Sequence, residues 1–112
     1  MDQSSCVFCK IIAKQLPAKI IEETEDLIVI ADITPKAPIH WLIIPKKHVP
    51  ELGGLKDEDR PLACNMLFVA SRLAERLPAN RSFRLVSNNG YDAGQRVFHI
   101  HLHFLSGAQM EF

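Results

Sequence analysis

The sequence predicts an α+β domain in which a five-stranded, mostly antiparallel sheet carries one main helix and a short N-terminal helix. Five short segments rich in apolar and β-branched residues are spread along the chain, and one longer stretch repeats its apolar residues at helical spacing. At 112 residues the chain has the length of one domain, so we expect residues 1–112 to form a single unit.

The composition favours a globular protein that lacks a strong surface charge. Thirteen Lys and Arg balance thirteen Asp and Glu, and 47% of the residues are hydrophobic. This balance argues against nucleic acid or a membrane as partner and favours small molecules or proteins. Met1–Ser5 has neither a basic nor an apolar run, and no apolar run approaches the roughly 20 residues of a membrane span. With an odd number of cysteines, three, these features predict a cytoplasmic protein.

The first three strands are predicted from short apolar segments bounded by polar turn residues or prolines. Ile20–Glu22 and Leu27–Asp32 flank four polar residues, which predicts a β-hairpin. His40–Ile44 follows two prolines and is nearly continuous in apolarity, so we expect a strand covered on both faces. Pro45 limits its end because proline has no N–H to donate to a sheet.

The main helix is predicted from about Asp59 to Leu77. Its apolar residues recur at spacings of four and three, as on one face of a helix: Leu62, Met66, Val69, Leu73 and Leu77. Asp57 or Asp59 can cap this helix, and Pro61 is tolerated in its first turn. Cys64 is expected to pack in the core. A shorter helix is predicted over Val7–Lys14.

The C-terminal part of the chain reads as two strands joined by a polar loop. Ser82–Ser87 has the composition of a strand, and the loop Asn88–Gln95 contains two glycines. The segment Val97–Ser106 is predicted as the last strand.

Three of the five histidines alternate along this last segment. Because side chains on a strand alternate between faces, we expect His99, His101 and His103 on one face. The other face would then be apolar, formed by Ile100, Leu102 and Phe104. A merely solvated histidine face is one alternative. A metal shared by all three is another, but residues i and i+4 on a strand lie about 13 Å apart, so strong bending would be needed. A division of labour is favoured, in which one histidine attacks, one holds the electrophile and one is structural.

Four segments resemble the histidine triad family, in its Hint-like, nucleotide-binding branch. The run HIHLHFL at residues 99–105 matches the pattern HxHxHxx with x apolar. Ala31–His48 is similar to the family's characteristic upstream segment, and Cys6–Ile11 to its N-terminal start. Asn88–Gly90 with Gly94–Gln95 resembles its phosphate loop. The resemblance covers nearly the whole chain and implies a HIT-like fold.

The resemblance implies hydrolysis of purine nucleoside phosphoramidates, which are AMP or GMP joined to an amine, through a covalent nucleotidyl-histidine. His101 would be the nucleophile and His103 would contact the phosphate. A neutral imidazole can attack phosphorus once its other nitrogen donates to a carbonyl. Two alternatives stay open: a dinucleoside polyphosphate hydrolase or nucleotidyl transferase, which shares the first step, and a non-catalytic scaffold that binds purine nucleotides.

The remaining nucleotide contacts are expected from both ends of the chain. Asn88 offers an amide donor, and the backbone at Gly94 and Gln95 is expected to turn N–H groups toward phosphate. Asp32 is typical of a residue that starts a turn, whereas the resemblance implies that it binds the ribose hydroxyls. The resemblance also implies an apolar slot for the base, lined by Phe8, Ile11, Leu16, Ile30 and Ile33.

The roles of Arg96 and His40 stay open. Family members often carry a small hydroxyl residue where this chain has Arg96, which either contacts the phosphate or leaving group or points to solvent. His40 matches a further histidine of the family near the site, either as an orienting group or as a buried imidazole.

Cys6 and Cys9 form a CxxC pair with three interpretations. A redox pair is disfavoured because no strand precedes it and no βαβ pattern surrounds it. Two thiols without a role are a second interpretation. The resemblance implies a third, a structural zinc site completed by His48 and His99, for which two thiolates and two imidazoles are a suitable ligand set.

The resemblance also implies a homodimer whose two sheets join across a two-fold axis. A small core makes such pairing physically reasonable. Gln109–Phe112 is similar to the tail that reaches the partner's site in the family.

Overall fold

The computed structural model describes residues 5–78 and 82–112, so Met1–Ser4 of the N-terminal stretch considered above lies outside the described residues. The described part contains two α-helices, α1 and α2, and five strands, β1 to β5. Their bounds are α1 Val7–Ile12, β1 Ile20–Glu23, β2 Leu27–Ala31, β3 Ile39–Pro45, α2 Arg60–Ala74, β4 Phe83–Val86 and β5 Leu102–Ser106. Short 3₁₀ turns lie at Leu52–Gly54, Asp57–Asp59 and Tyr91–Ala93.

The five strands form one antiparallel sheet in the order β1-β2-β3-β5-β4. This arrangement confirms the predicted α+β class and each of the predicted strands, with ends displaced by at most one residue except at β5. The central strands β2 and β3 are almost entirely buried, as their continuous apolar sequences predict.

Each face of the sheet has its own core because alternate side chains point to opposite faces. One face packs against α2, with a cluster of Leu27, Val29, Ile43, Phe104, Met66, Val69, Ala70, Leu73 and Leu77. The other face packs against α1, with a cluster of Cys6, Phe8, Ile11, Ile28, Ile30, Leu42 and Ile44. The short helix α1 therefore covers the face opposite to the main helix.

Helix α2 is shorter than predicted, but it buries the apolar face that was predicted, including Met66, Val69 and Leu73. It spans Arg60–Ala74 rather than Asp59–Leu77, and the last residues form turns in which the Leu77 N–H donates to the Ala74 carbonyl at 3.2 Å. Asp59 precedes the helix, but its carboxylate accepts from the Lys56 N–H at 2.9 Å and so closes the preceding turn. With 15 residues α2 is the longest helix described, and no helix within residues 5–78 and 82–112 is long and apolar enough to cross a bilayer.

The prediction that Cys64 packs in the core is wrong. Its side chain is exposed on α2, two residues before the buried Met66. Because each helical residue advances by about 100°, a separation of two residues places Cys64 on the side of the helix away from the sheet.

Strand β5 begins later than predicted. The sequence analysis placed one strand over Val97–Ser106, whereas the structure has Leu102–Ser106. Of the three alternating histidines only His103 lies on the strand, and His99 and His101 lie on the segment that leads into it.

Strand β5 starts late because its pairing with β3 ends at Ile43 and Leu102. Two residues further along β3 stands Pro45, which has no N–H to pair. The backbone before β5 is satisfied elsewhere, since the Ile100 N–H donates to the Val49 carbonyl at 2.7 Å. The three rings nevertheless lie on the α1 side of the sheet, since Phe8 contacts His99 and His101, and the His101 centroid is 5.0 Å from that of His103.

Candidate functional site

A cavity of about 540 Å³ lies on the α1 side of the sheet, next to the histidines. It is bounded by α1, by the ends of β2 and β3 and by the loop that connects β4 to β5. Its volume is in the range of small-molecule sites. The lining residues are Val7, Phe8, Ile11, Ile30, Ala31, Asp32, Ile33, Thr34, Lys36, His40, Leu42, Asn88, Gly94, Arg96, Val97, His101, His103 and Leu105.

Most of the residues named from the sequence meet at this cavity. They are Phe8, Ile11, Ile30, Asp32, Ile33, Asn88, Gly94, His101 and His103. Gln95 and Leu16 do not line it: Gln95 is buried beneath the loop, and Leu16 lines a separate depression beyond α1. Among the lining residues to which the sequence gave no definite role, Thr34, Lys36, His40 and Arg96 carry polar or charged groups.

His101 presents one free ring nitrogen at the cavity. Its Nδ1 lies 2.7 Å from the carbonyl oxygen of His99, and because a carbonyl only accepts, Nδ1 carries the proton. The lone pair is therefore on Nε2, for which the described residues supply no hydrogen-bond partner. The Phe8 ring packs edge-on at 5.0 Å between centroids. Burial lowers the pKa of His101, so the ring is neutral at pH 7 and retains its nucleophilic lone pair.

His103 is held as a hydrogen-bond donor by a chain of contacts that begins at Lys36. The Lys36 N–H donates to His40 Nδ1 at 3.0 Å, so the proton of neutral His40 is on Nε2. That Nε2 donates to His103 Nδ1 at 2.9 Å. His103 Nδ1 is thus an acceptor, and the proton of its neutral ring must be on Nε2. His40 is in this way a positioning residue, and the site offers a donor on His103 beside a lone pair on His101.

Strand register explains why His40 meets His103. In the β3–β5 ladder His40 is opposite Leu105 and His103 is opposite Leu42, so the two histidines are diagonal neighbours on one face of the sheet. Nothing local in the sequence reveals this pairing, because it joins residues 63 positions apart.

Asp32 lies at the end of β2, where its carboxylate begins a turn and also faces His40. Its Oδ1 accepts from the Thr34 N–H at 2.8 Å and from Thr34 Oγ1 at 3.2 Å. Its Oδ2 lies 3.4 Å from His40 Nε2. The turn interpretation is therefore correct, and it places a carboxylate at the rim of the cavity.

The loop after β4 differs from expectation in where its N–H groups point. Gly90 and Gly94 have positive φ angles of 92° and 96°, which favour glycine. The Gly94 N–H donates to the Tyr91 carbonyl at 3.0 Å and the Gln95 N–H to the Gly90 carbonyl at 3.1 Å. These two N–H groups close the loop and do not turn toward a ligand, because the 3₁₀ turn in the loop uses them.

The side chains of Gln95 and Asn88 stabilise the same loop. Gln95 Nε2 donates to the Pro50 and Val97 carbonyls at 2.7 and 3.0 Å. Asn88 Nδ2 donates to the Ala93 carbonyl at 2.9 Å, and since the amide has two hydrogens, one remains available. Gln95 supports the wall, whereas Asn88 is part of it.

A second cluster lies beside the cavity and joins α1 to the histidine segment. His99 Nδ1 lies 3.5 Å from Cys6 Sγ, 3.5 Å from Cys9 Sγ and 3.1 Å from His48 Nδ1. The His99 Nε2–H donates to the Pro45 carbonyl at 2.7 Å, so the Nδ1 lone pair points at the two sulfurs. The four ligand atoms all lie within 4.8 Å of one another.

The dimensions and chemistry of this cluster fit a tetrahedral zinc ion. Bonds of about 2.05 Å to nitrogen and 2.3 Å to sulfur give tetrahedral edges of about 3.3 to 3.8 Å, close to the spacings observed. Burial lowers the pKa of His99 to about 4, which keeps its lone pair free. Burial, with the neighbouring Cys6, raises the pKa of Cys9 to about 11, so the Cys9 thiolate needs a cation to be stable.

Comparisons with known proteins place the chain among relatives that resemble it over nearly its whole length. A family profile described as "Scavenger mRNA decapping enzyme C-term binding" matches residues 5–112. An uncharacterised HIT-like protein of Synechocystis is 44% identical over 101 residues, which are 90% of this chain and 89% of that protein. A HIT family hydrolase from Legionella pneumophila has a TM-score of 0.92 at 41% identity, with 96% of this chain and 97% of that chain covered.

The names of two further solved structures mention a ligand, zinc in one and a nucleotide in the other. A zinc-bound histidine triad family protein from Mycobacterium smegmatis has a TM-score of 0.80 at 38% identity, covering 93% of this chain and 76% of that one. A histidine triad nucleotide-binding protein from Candida albicans has a TM-score of 0.81 at 34% identity, covering 89% and 73%. The chain resembles both proteins in fold and sequence.

The contacts of His103 predict how it titrates. Burial, with the nearby His101 and His40, lowers the pKa of His103 to about 4. An unfolded histidine titrates near 6.5, so the unfolded chain binds the proton more readily. We expect neutral His103 to contribute fully to stability above about pH 6.5 and to lose that contribution as the pH falls toward 4.

NMR titration of the imidazole nitrogens tests this expectation. The His103 resonance should show a midpoint near 4. His103→Gln, which keeps an acceptor and a donor, should flatten part of the fall in unfolding free energy between about pH 6.5 and 4. A His103 midpoint at 6 or above would contradict the lowering of its pKa by burial.

Proposed function

The chain belongs to the histidine triad family, and from this premise we propose that it is a hydrolase of purine nucleoside 5′-phosphoramidates acting at the α-phosphorus. The observation that carries the proposal is the hydrogen bond of 2.7 Å from His101 Nδ1 to the His99 carbonyl. It leaves a nucleophilic Nε2 at the wall of a nucleotide-sized cavity, beside the donor of His103.

The proposed reaction proceeds in two displacements. First, the Nε2 lone pair of His101 forms a bond to the α-phosphorus while the substrate's phosphorus–nitrogen bond breaks, and the amine leaves with one proton taken from solvent. Water then attacks the phosphorus, the bond to His101 breaks, and the proton of water is released. In sum one water is consumed, one amine and one nucleoside monophosphate are produced, and His101 is again neutral.

The donors around His101 stabilise the charge on the phosphoryl oxygens. His103 Nε2–H is held in place through His40, and Asn88 retains one amide hydrogen. Donors that are already oriented require no rearrangement in the transition state, which is the largest contribution available to a phosphoryl-transfer site.

The rest of the cavity suits a nucleoside. The Asp32 carboxylate would accept hydrogen bonds from the ribose hydroxyls, and the apolar slot would hold the base. This slot contains Phe8, Ile11 and Ile30, and Ile33 stands at its rim with 94% of its surface exposed. An apolar slot discriminates weakly between bases, so the purine preference rests on the family resemblance.

We also propose that the Cys6, Cys9, His48 and His99 cluster binds one structural zinc ion. With four protein ligands no coordination position is open for substrate, so the ion would hold α1 against the segment before β5. The reaction described above does not pass through it.

A homodimer is proposed as the assembled state. Leu67 and Phe68 lie on the outward side of α2 with 61% and 64% of their surfaces exposed, and adjacent exposed apolar side chains mark interaction surfaces. The Glu111 carbonyl accepts from Arg84 Nη2 on β4, so the tail begins along the edge strand, and Phe112 is exposed beyond it. The tail would then reach the partner's cavity.

His101→Ala should abolish turnover while AMP affinity changes by no more than about ten-fold, because a lost nucleophile acts mainly on the transition state. Turnover of an adenosine phosphoramidate and calorimetric AMP binding measure the two effects. Cys64 is exposed on α2, and the control variant Cys64→Ala should retain both turnover and AMP binding. Undiminished turnover in His101→Ala would refute the mechanism.

The native protein should also form a covalent adduct. Intact mass measured after mixing with a phosphoramidate at low temperature should show the addition of one nucleotidyl group, absent in His101→Ala. Parallel assays with a diadenosine polyphosphate separate phosphoramidase from polyphosphate hydrolase. Binding of AMP without turnover of either substrate would instead identify a nucleotide-binding scaffold.

Zinc content gives an independent test. Protein purified without chelators should contain one zinc per chain, and the double variant Cys6→Ser with Cys9→Ser should contain none. Loss of a ligand present at a thousand times its Kd lowers stability by about 4 kcal/mol, measurable by chemical denaturation. Cys64→Ser should keep both zinc and stability, and metal-free native protein would overturn the site.

The dimer is tested by sedimentation velocity. The native chain should sediment at twice 12.6 kDa, and Phe68→Glu should shift it toward the monomer because a charge would enter an apolar interface. Lys19→Glu, exposed just before β1 and away from α2, introduces the same side chain and should leave the dimer intact. A native monomer at micromolar concentration would exclude the proposal.

A further inference from the structure

Arg96 is a cation held in a fixed position at the wall of the cavity. Its guanidinium lies over the Tyr91 ring, 4.0 Å from the centroid. Its Nη1 donates to the Tyr91 carbonyl at 2.9 Å and to the Gln95 carbonyl at 3.0 Å. The stacking and the two hydrogen bonds limit the freedom of a side chain that is otherwise exposed. Nε and Nη2 are left with no partner among the described residues.

The charge of Arg96 is not balanced by a carboxylate. Within residues 5–78 and 82–112 no acidic group lies at ion-pair distance from it. The one carboxylate among the described lining residues, Asp32, is engaged by Thr34 and His40. The other cation of the lining, Lys36, donates its Nζ to the Thr34 carbonyl on the Asp32 side. The wall that carries Arg96 is therefore positive.

The position of Arg96 relates it to the part of a substrate beyond the phosphate. Asp32 follows β2 and faces His40 on the β2–β3 side of the cavity, whereas Arg96 belongs, with Asn88 and Gly94, to the wall formed by the loop between β4 and β5. A nucleotide with its ribose at Asp32 and its phosphorus at His101 extends its leaving group toward the remaining wall.

We propose that Arg96 selects substrates whose leaving group carries a negative charge next to the bond that is cleaved. The proposal rests on the proposed function and adds the chemical class of the leaving group. The free Nε and Nη2 edge of a guanidinium matches the two oxygens of a carboxylate or a phosphate. Leaving groups of this class are amino acids linked through nitrogen, and phosphates.

A matched pair of substrates isolates the charge. Adenosine 5′-phosphoramidates of glycine and of glycinamide differ by a carboxylate in place of a neutral amide. The native protein should have a kcat/KM at least ten-fold higher for the glycine compound. In Arg96→Gln the ratio should fall close to one, and in Arg96→Lys an intermediate ratio should remain, because charge is kept without the planar donor edge. A diadenosine polyphosphate, assayed in parallel, shows whether phosphate leaving groups share the effect.

The controls separate electrostatics from loop structure. Arg60→Gln removes the same charge outside the cavity and should leave the ratio unchanged. Added salt should lower the native ratio, since exposed charges are screened. A merely structural Arg96 would reduce the turnover of both phosphoramidates equally, and an unchanged ratio in Arg96→Gln would overturn the proposal. Failure of the native protein to cleave any of the three substrates would overturn the proposed function itself.

Discussion

Backbone groups hold the rings of His40, His99 and His101 through one nitrogen each, and the chemistry of the site depends on that constraint. A neutral imidazole has one N–H, so the engaged nitrogen decides what the other can do. His99 donates to the Pro45 carbonyl and keeps a lone pair for the thiols. His101 donates to the His99 carbonyl and keeps a lone pair for the cavity. His40 accepts from the Lys36 N–H and becomes a donor. Burial keeps the rings of His99 and His101 neutral, so these roles persist near pH 7.

The late start of β5 allows neighbouring histidines to serve different purposes. On a continuous strand, residues separated by two share a face and the same surroundings. Here the pairing with β3 ends at Leu102, and the segment before it does not have to alternate its side chains as a strand does. His99 therefore turns to the cysteines, while His101 turns to the cavity, although one residue separates them.

Helix α1 connects the candidate zinc cluster with the candidate catalytic cavity. Cys6 and Cys9 belong to the first, and Phe8, between them in sequence, lies in the wall of the second. The Phe8 ring contacts both His99 and His101, with centroids 6.0 and 5.0 Å away. An ion that holds α1 in place would also hold the ring that packs against the proposed nucleophile, so stability and site geometry are coupled through this helix.

The sequence by itself determined the strands, the apolar stripe of α2 and most members of the site, because periodicity, turn residues and motif spacing are properties of short segments. It did not determine the role of His40, which depends on register with a strand 63 residues away. It also misplaced the start of β5 and the loop N–H groups near Gly94, since competing hydrogen-bond partners decide both. The prediction for Cys64 was wrong because the burial of a residue on α2 depends on which side of the helix faces the sheet. The tertiary structure decided which ring nitrogen is free in His99 and His103, because the Pro45 carbonyl and the His40 ring that engage their other nitrogens lie 54 and 63 positions away.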